Sequence, residues 1–154
     1  DMVTTLGACA ALTERVRLMT TVAVAPIHAP LMLAKQLATA DVFSGGRLTV
    51  GVGRGGRRED YLAAGVDWSR HRIAELEAHV ATMKRVWQGE KVLDDLLRNV
   101  EPLPVQEGGP PVLAGSFGPK ALASAARWAD GVCGFTFTAS AEEAAQGLEN
   151  ARAA

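Results

Sequence analysis

The feature that most constrains this chain is a repeated change from short, Val-rich apolar runs to segments with helical periodicity. Residues 15–26, RVRLMTTVAVAP, are almost continuously apolar after their charged start, which suits a strand buried on both faces of a parallel sheet. Pro30 fits the first turn of a helix whose apolar positions Leu33, Leu37 and Ala38 fall at helical spacing until Ser44-Gly45-Gly46 closes it. Residues 48–53 form a second apolar run that ends in a glycine cluster, and the charged segment 57–65 suits a short helix. Ser69 stands where a cap for the clearest helix is expected. In that helix Ile73, Leu76, Val80, Met83 and Trp87 recur every three or four residues until Gly89.

Residues 90–111 carry four prolines and two adjacent glycines without a steady period, and read as a long loop excursion. The alternation then resumes, with a strand at 112–115, a helix at 119–129 and a strand at 131–136. Ser140 and Glu143 have the spacing of a capping box for a last Ala-rich helix running towards Asn150. The tally is four strands, each followed by a helix, with another helix in front, which is the α/β class. Two architectures suit it: an open doubly wound sheet, or part of a closed eightfold barrel of about 250 residues. The chain opens inside one apparent helix and closes inside another, as one partial barrel domain over residues 1–154 would.

Sixteen basic against seventeen acidic residues, with no run of five or six like charges, make nucleic acid and acidic membranes unexpected partners. No apolar stretch approaches the roughly 20 residues that span a bilayer. The first ten residues lack the pattern of a signal peptide, so a soluble, cytoplasmic protein is expected. Cys9 and Cys133 share no metal-ligand spacing and are expected to be buried free thiols. His28, His71 and His79 read as structural, the last two being eight apart on one helix.

Two segments have the composition of a ligand site. Residues 51–56, GVGRGG, satisfy the dinucleotide pattern G-x-G-x-x-G, but the acidic residues about 20 positions on, Glu75 and Glu77, fall inside the clearest helix and not at a strand end. The segment still places a close-approach backbone beside Arg54, whose guanidinium suits a phosphate. The alternative is a solvated or structural arginine in a turn. Residues 110–118, PPVLAGSFG, run from a strand through Gly115, Ser116, Phe117 and Gly118 into a helix opened by Pro119. Free backbone N–H groups and the helix dipole favour an anion there, and the alternative is a tight turn that needs glycine. Residues 114–118 also resemble a nucleophile elbow, but all three histidines precede Ser116, against the chain order of such hydrolases.

With these segments placed, the chain resembles the luciferase-like monooxygenase family, which includes flavin-dependent monooxygenases and oxidoreductases that use the deazaflavin coenzyme F420. The most specific stretch is APLMLAKQLATADVFSGGRLTVGVGRGG at 29–56, in which Pro30, Ala34, Asp41, Ser44, Gly46, Arg47, Gly51 and the glycines around Arg54 fit the pattern. TERVRLMTTVAVAP, Trp87, GGPPVLAGS and ARWADG support it in the same order along the chain. The resemblance implies a TIM barrel of which these are the third to sixth strands, with reduced FMN or F420 at their carboxyl ends. It assigns cofactor contacts to Thr21, Val22, Gly53, Arg54, Gly115, Ser116, Phe117 and Gly118. Arg54 would reach phosphate, residues 115–118 would form the phosphate-holding loop, and Thr21-Val22 would carry a non-proline cis peptide under the cofactor ring.

The implied activity is an oxidoreductase performing monooxygenation or hydride transfer on a small organic substrate, expected to associate with itself. The Ala-, Gly- and Arg-rich composition points towards F420. The alternatives are a non-catalytic flavin-binding protein on a reduced barrel and an inactive fragment. The chain also departs from the pattern. Gly53 stands where luciferase has a reactive cysteine, Met19 replaces a common glycine, and His28-Ala29 replaces a frequent Arg-His pair. The second-strand residues that steer substrate or protons in relatives are absent, so no catalytic acid or base is assigned.

Overall fold

Pro30 and Gly45 bracket the helix on which the fold is organised. Proline at N1 gives up an N–H that no helix could use, and Gly45 at φ 61° supplies the left-handed turn that ends it. In the computed structural model, which describes residues 1–94, 98–115, 118–134 and 140–153, the elements follow in order. They are α1 (Met2–Leu12), β1 (Leu18–Val24), α2 (Pro30–Ser44), β2 (Leu48–Gly53), α3 (Arg58–Ala63), α4 (Ile73–Trp87), β3 (Val112–Ala114), α5 (Pro119–Ala125), β4 (Gly131–Val132) and α6 (Ala141–Ala153). Short 3₁₀ turns occupy Ala25–Ile27 and Trp68–Arg70.

The four strands form one sheet in the order β1-β2-β3-β4, and every pairing is parallel. The core lies between this sheet and helices α2 and α4. Leu33 and Leu37, Leu48, Val50 and Val52, Val80 and Met83, and Val112 are all fully buried. Each contributes about 1.5–3 kcal/mol of burial. Trp87 ties the two helices together, its Nε1 donating to Ala34 O at 2.9 Å. α1 is fastened by Arg47, whose guanidinium donates to Ser44 O, Thr13 Oγ1, Val16 O, Ala10 O and Thr13 O.

The excursion after α4 forms neither helix nor strand among its described residues, and Asp41 holds it down. This fully buried carboxylate accepts from Val105 N at 2.9 Å, Gln106 N at 3.1 Å and Gln106 Nε2 at 2.7 Å. Gly109 then passes so close to Trp87 that a Cβ there would lie 2.5 Å from the indole, and its φ of 105° excludes most other residues as well.

Several elements differ from the sequence expectation. β1 is not buried on both faces: Leu18, Thr20 and Ala23 are buried, whereas Met19 and Thr21 are exposed, because one face of this outer strand borders a cavity. Ser69 does not cap α4. Asp67 captures Ser69 N into the 3₁₀ turn, and the helix starts after Arg72, whose side chain makes no capping bond. α5 stops at Ala125 and not 129, because Arg127 N and Trp128 N turn back onto Ser124 O and Ala125 O. β4 extends over Gly131–Val132 only, and residues 135 and 136 of the expected strand lie outside the described residues. Cys9 and Cys133 are free, as expected, but only half-buried. The last helix does begin on Ser140, whose Oγ accepts from Glu143 N at 3.1 Å.

Candidate functional site

The carboxyl ends of β1, β2 and β3 meet around one side chain, that of Val22. The Thr21–Val22 peptide is cis, at the position expected from the sequence, and the β1–β2 register shifts between Thr20 and Ala23. A Cβ on Gly53 would lie 2.9 Å from Val22 Cγ2, and one on Gly115 would lie 2.7 Å from Val22 Cγ1 and 3.3 Å from Val52 O. One strand turn earlier, a Cβ on Gly51 would lie 2.2 Å from Thr20 O and 3.0 Å from Cys133 Sγ. Thr20 Oγ1 donates to Gly51 O at 2.7 Å and Gly115 N to Val52 O at 2.7 Å, so the three strands are locked where they end. Glycine is required at 51, 53 and 115 because Val22, Thr20 and Cys133 occupy the space a side chain would need.

Arg54 follows directly. Its carbonyl accepts from Tyr61 Oη at 2.7 Å, and the next carbonyl, that of Gly55, lies 3.0 Å from His71 Nε2. Burial pushes the Tyr61 phenol up, with Arg54 and Arg70 partly opposing, so the hydroxyl remains a donor. Among the described residues the Arg54 guanidinium makes no hydrogen bond or ion pair, and it is half-exposed.

Beside these strand ends lies a cavity of about 740 Å³, walled by Met19, Thr21 and Val22, by Gly115 and Cys133, and by Leu148 of α6. Its size suits a small organic ligand. Burial raises the Cys133 thiol above its ordinary value, so it is held protonated and is a poor nucleophile. Of the residues singled out from the sequence, Thr21, Val22 and Gly115 line the cavity, Gly53 adjoins it through Val22, and Arg54 follows Gly53 without lining it. Gly118 stands apart. It caps the seven-residue α5 with an ordinary φ of −84° and open space around it. Ser116 and Phe117 lie outside the described residues, and with them the elbow-like serine.

His71 and His79 make structural contacts, and His71 lies in the turn before α4 and not on that helix as expected. His71 stacks on Trp68, and the buried His79 faces Glu75 O and His28 O with its two ring nitrogens. Among the described residues no cluster of side chains could hold a metal ion, and no helix is long and apolar enough to cross a membrane. Sequence reasoning missed Tyr61 and His71, which hold the carbonyls of Arg54 and Gly55, and Trp68, which packs on both rings. The available signal was a lone tyrosine and a tryptophan beside a charged, glycine-bounded segment.

A β–α alternation with a cis peptide in its first strand and glycine-locked strand ends can be compared with known proteins. The chain is 30% identical over 138 residues to an FMNH(2)-dependent dimethylsulfone monooxygenase of Pseudomonas putida, covering 84% of this chain and 38% of that one. It is 36% identical over 93 residues to an F420-dependent glucose-6-phosphate dehydrogenase of Beutenbergia cavernae, covering 58% and 27%. The crystal structure of monooxygenase RslO1 from Streptomyces bottropensis superposes with a TM-score of 0.81 at 30% identity, covering 99% of this chain and 48% of that one. The chain thus spans about a third of the length of these curated relatives and about half of that solved chain, as a partial barrel does. The family model described as luciferase-like monooxygenase matches residues 1–154 throughout, and the chain belongs to that family.

Proposed function

We propose that this chain is the cofactor-holding part of an oxidoreductase that uses reduced FMN or coenzyme F420 for monooxygenation or hydride transfer on a small organic substrate. The observation that carries the reading is Arg54. Its backbone is fixed by Tyr61 at the end of β2, while its guanidinium is left without a protein partner among the described residues. A cation ordered at its base and unengaged at its tip suits a phosphate. The cavity fits the bulk of such a cofactor: about 740 Å³, largely apolar, and bounded by the Thr21–Val22 peptide and Gly115.

When bound, the reduced cofactor supplies the electrons, as a hydride or for oxygen activation. The chain's residues bind, orient and shield it. Arg54 would hold the phosphate, with Gly115, Ser116, Phe117 and Gly118 as the further phosphate contacts that the family resemblance implies. Thr21 and Val22 form the floor, and Gly53 and Gly115 seat Val22. Met19, Val22, Val132 and Leu148 keep water from the ring. Two relatives carry FMNH(2) and F420 in their names, which supports both cofactors equally. The near-neutral charge supports a protein without nucleic-acid partners. One partial barrel domain, cytoplasmic and associating with itself through its open sheet edges, completes the proposal.

The test is fluorescence titration with FMN and with F420 at two salt concentrations, for the chain and for Arg54→Ala. Saturable binding of one cofactor that is weakened about tenfold or more by the substitution, and by salt, supports the reading. Binding indifferent to both overturns it.

A further inference from the structure

The two carbonyls on either side of the Arg54–Gly55 junction are held by one cluster of rings. Tyr61 Oη donates to Arg54 O at 2.7 Å, and His71 Nε2 reaches Gly55 O at 3.0 Å. The Tyr61 ring is fully buried and meets Trp68 edge-on, with centroids 5.0 Å apart. Trp68 stacks on His71 at 4.1 Å with an interplanar angle of 8°. From the other side Val24 closes in, since a Cβ on Gly55 would lie 2.9 Å from its Cγ1. None of the three rings lines the cavity, so their arrangement serves the backbone and not a ligand directly.

This placement answers a difficulty inherent in the sequence. Arg54 is flanked by Gly53, Gly55 and Gly56, and such a segment left to itself samples a wide range of backbone conformations. An anchor on a loose loop must be ordered when the ligand arrives, and that ordering subtracts from affinity. We infer that Tyr61 and His71 are positioning residues for Arg54, fixing the peptide under it so that its guanidinium meets a phosphate already in place. The inference rests on the reading of Arg54 as the phosphate anchor. Trp68 acts one step further back, holding the His71 ring in the orientation that points Nε2 at Gly55 O.

The experiment compares a phosphate-bearing cofactor with its phosphate-free counterpart: FMN with riboflavin, or F420 with the bare deazaflavin, whichever the chain binds. Tyr61→Phe and His71→Phe keep a ring and remove the donor, and each is made alone and on Arg54→Ala. Each single variant is expected to weaken the phosphate-bearing cofactor about two- to tenfold, the worth of one neutral hydrogen bond. Each should leave the phosphate-free counterpart nearly unchanged and have little further effect once Arg54 is alanine. Hydrogen exchange without cofactor should also show the amides of residues 54–56 opening faster in both variants. Equal weakening of both ligands, or an undiminished effect on Arg54→Ala, overturns the positioning role. Failure of Arg54→Ala itself to separate the two ligands overturns the anchor reading beneath it. Should Tyr61→Phe not fold, His71→Phe, which alters a half-buried ring, decides alone.

Discussion

Val22 Cγ1 stands 2.7 Å from the point a Cβ on Gly115 would occupy, so β1 and β3 approach one another at a position only glycine can fill. Gly115→Ala should therefore destabilise the protein by about 1–3 kcal/mol, the range for forcing an extra methyl into a packed site. Gly118→Ala, with nothing within 4 Å and an ordinary φ, should stay within about 0.5 kcal/mol. Chemical denaturation of the two variants tests the contrast, and equal stabilities would refute it.

Asp41→Ala removes the acceptor of three hydrogen bonds from Val105 and Gln106. Leaving those donors without their buried carboxylate costs about 2–4 kcal/mol. The excursion should become a protease target before the sheet does. Cleavage mapped within residues 90–111 at a protease dose that spares the parent is the expected result. An unchanged digestion pattern would show that Gln106 Nε2, which also donates to Leu48 O, suffices by itself.

His28 is held below its ordinary value, first by burial and then by His79. Its folded form thus binds protons less readily than the unfolded chain. The stability it contributes is complete above about pH 6.5 and is lost as the pH falls through the lowered folded value. His28→Gln should flatten the acid limb of the melting-temperature profile below that pH and leave the neutral region alone. An unaltered acid limb would place the proton uptake elsewhere.

Cys133 should alkylate slowly at neutral pH, with a rate that climbs only in alkaline solution, because burial keeps its thiol protonated. Because it lines the cavity, a cofactor bound there should slow the reaction further. Mass-spectrometric footprinting with a maleimide reads both effects. Labelling of Cys133 that ignores cofactor would separate the cavity from the binding site.

Much of this architecture was legible residue by residue. Pro30, Ser44 and Gly45 delimit α2, and the spacing of Ile73 to Trp87 gives the buried face of α4, because capping chemistry and periodicity are local properties. The cis peptide at Thr21-Val22 and the family itself were legible through resemblance. What was not legible depends on partners far along the chain. Asp41 finds Gln106 65 residues away, and His71 finds Gly55 across 16, and neither pairing leaves a period or a motif. The exposed face of β1 was misread because apolar composition cannot distinguish a packed neighbour from the wall of a cavity. Ser69 lost the cap of α4 to a competing local bond, the capture of its own N–H by Asp67.

Arg47 joins the carbonyls at the end of α1 to the turn that launches β2, across a sequence separation of 34. A load applied to the amino end therefore does not peel the molecule in sequence order. Part of it passes through one guanidinium into the turn before the central strand, alongside the packing of Leu6 and Ala10 into the core. In mechanical terms α1 is a handle riveted to the keel of the sheet, and Arg47 is one of its rivets.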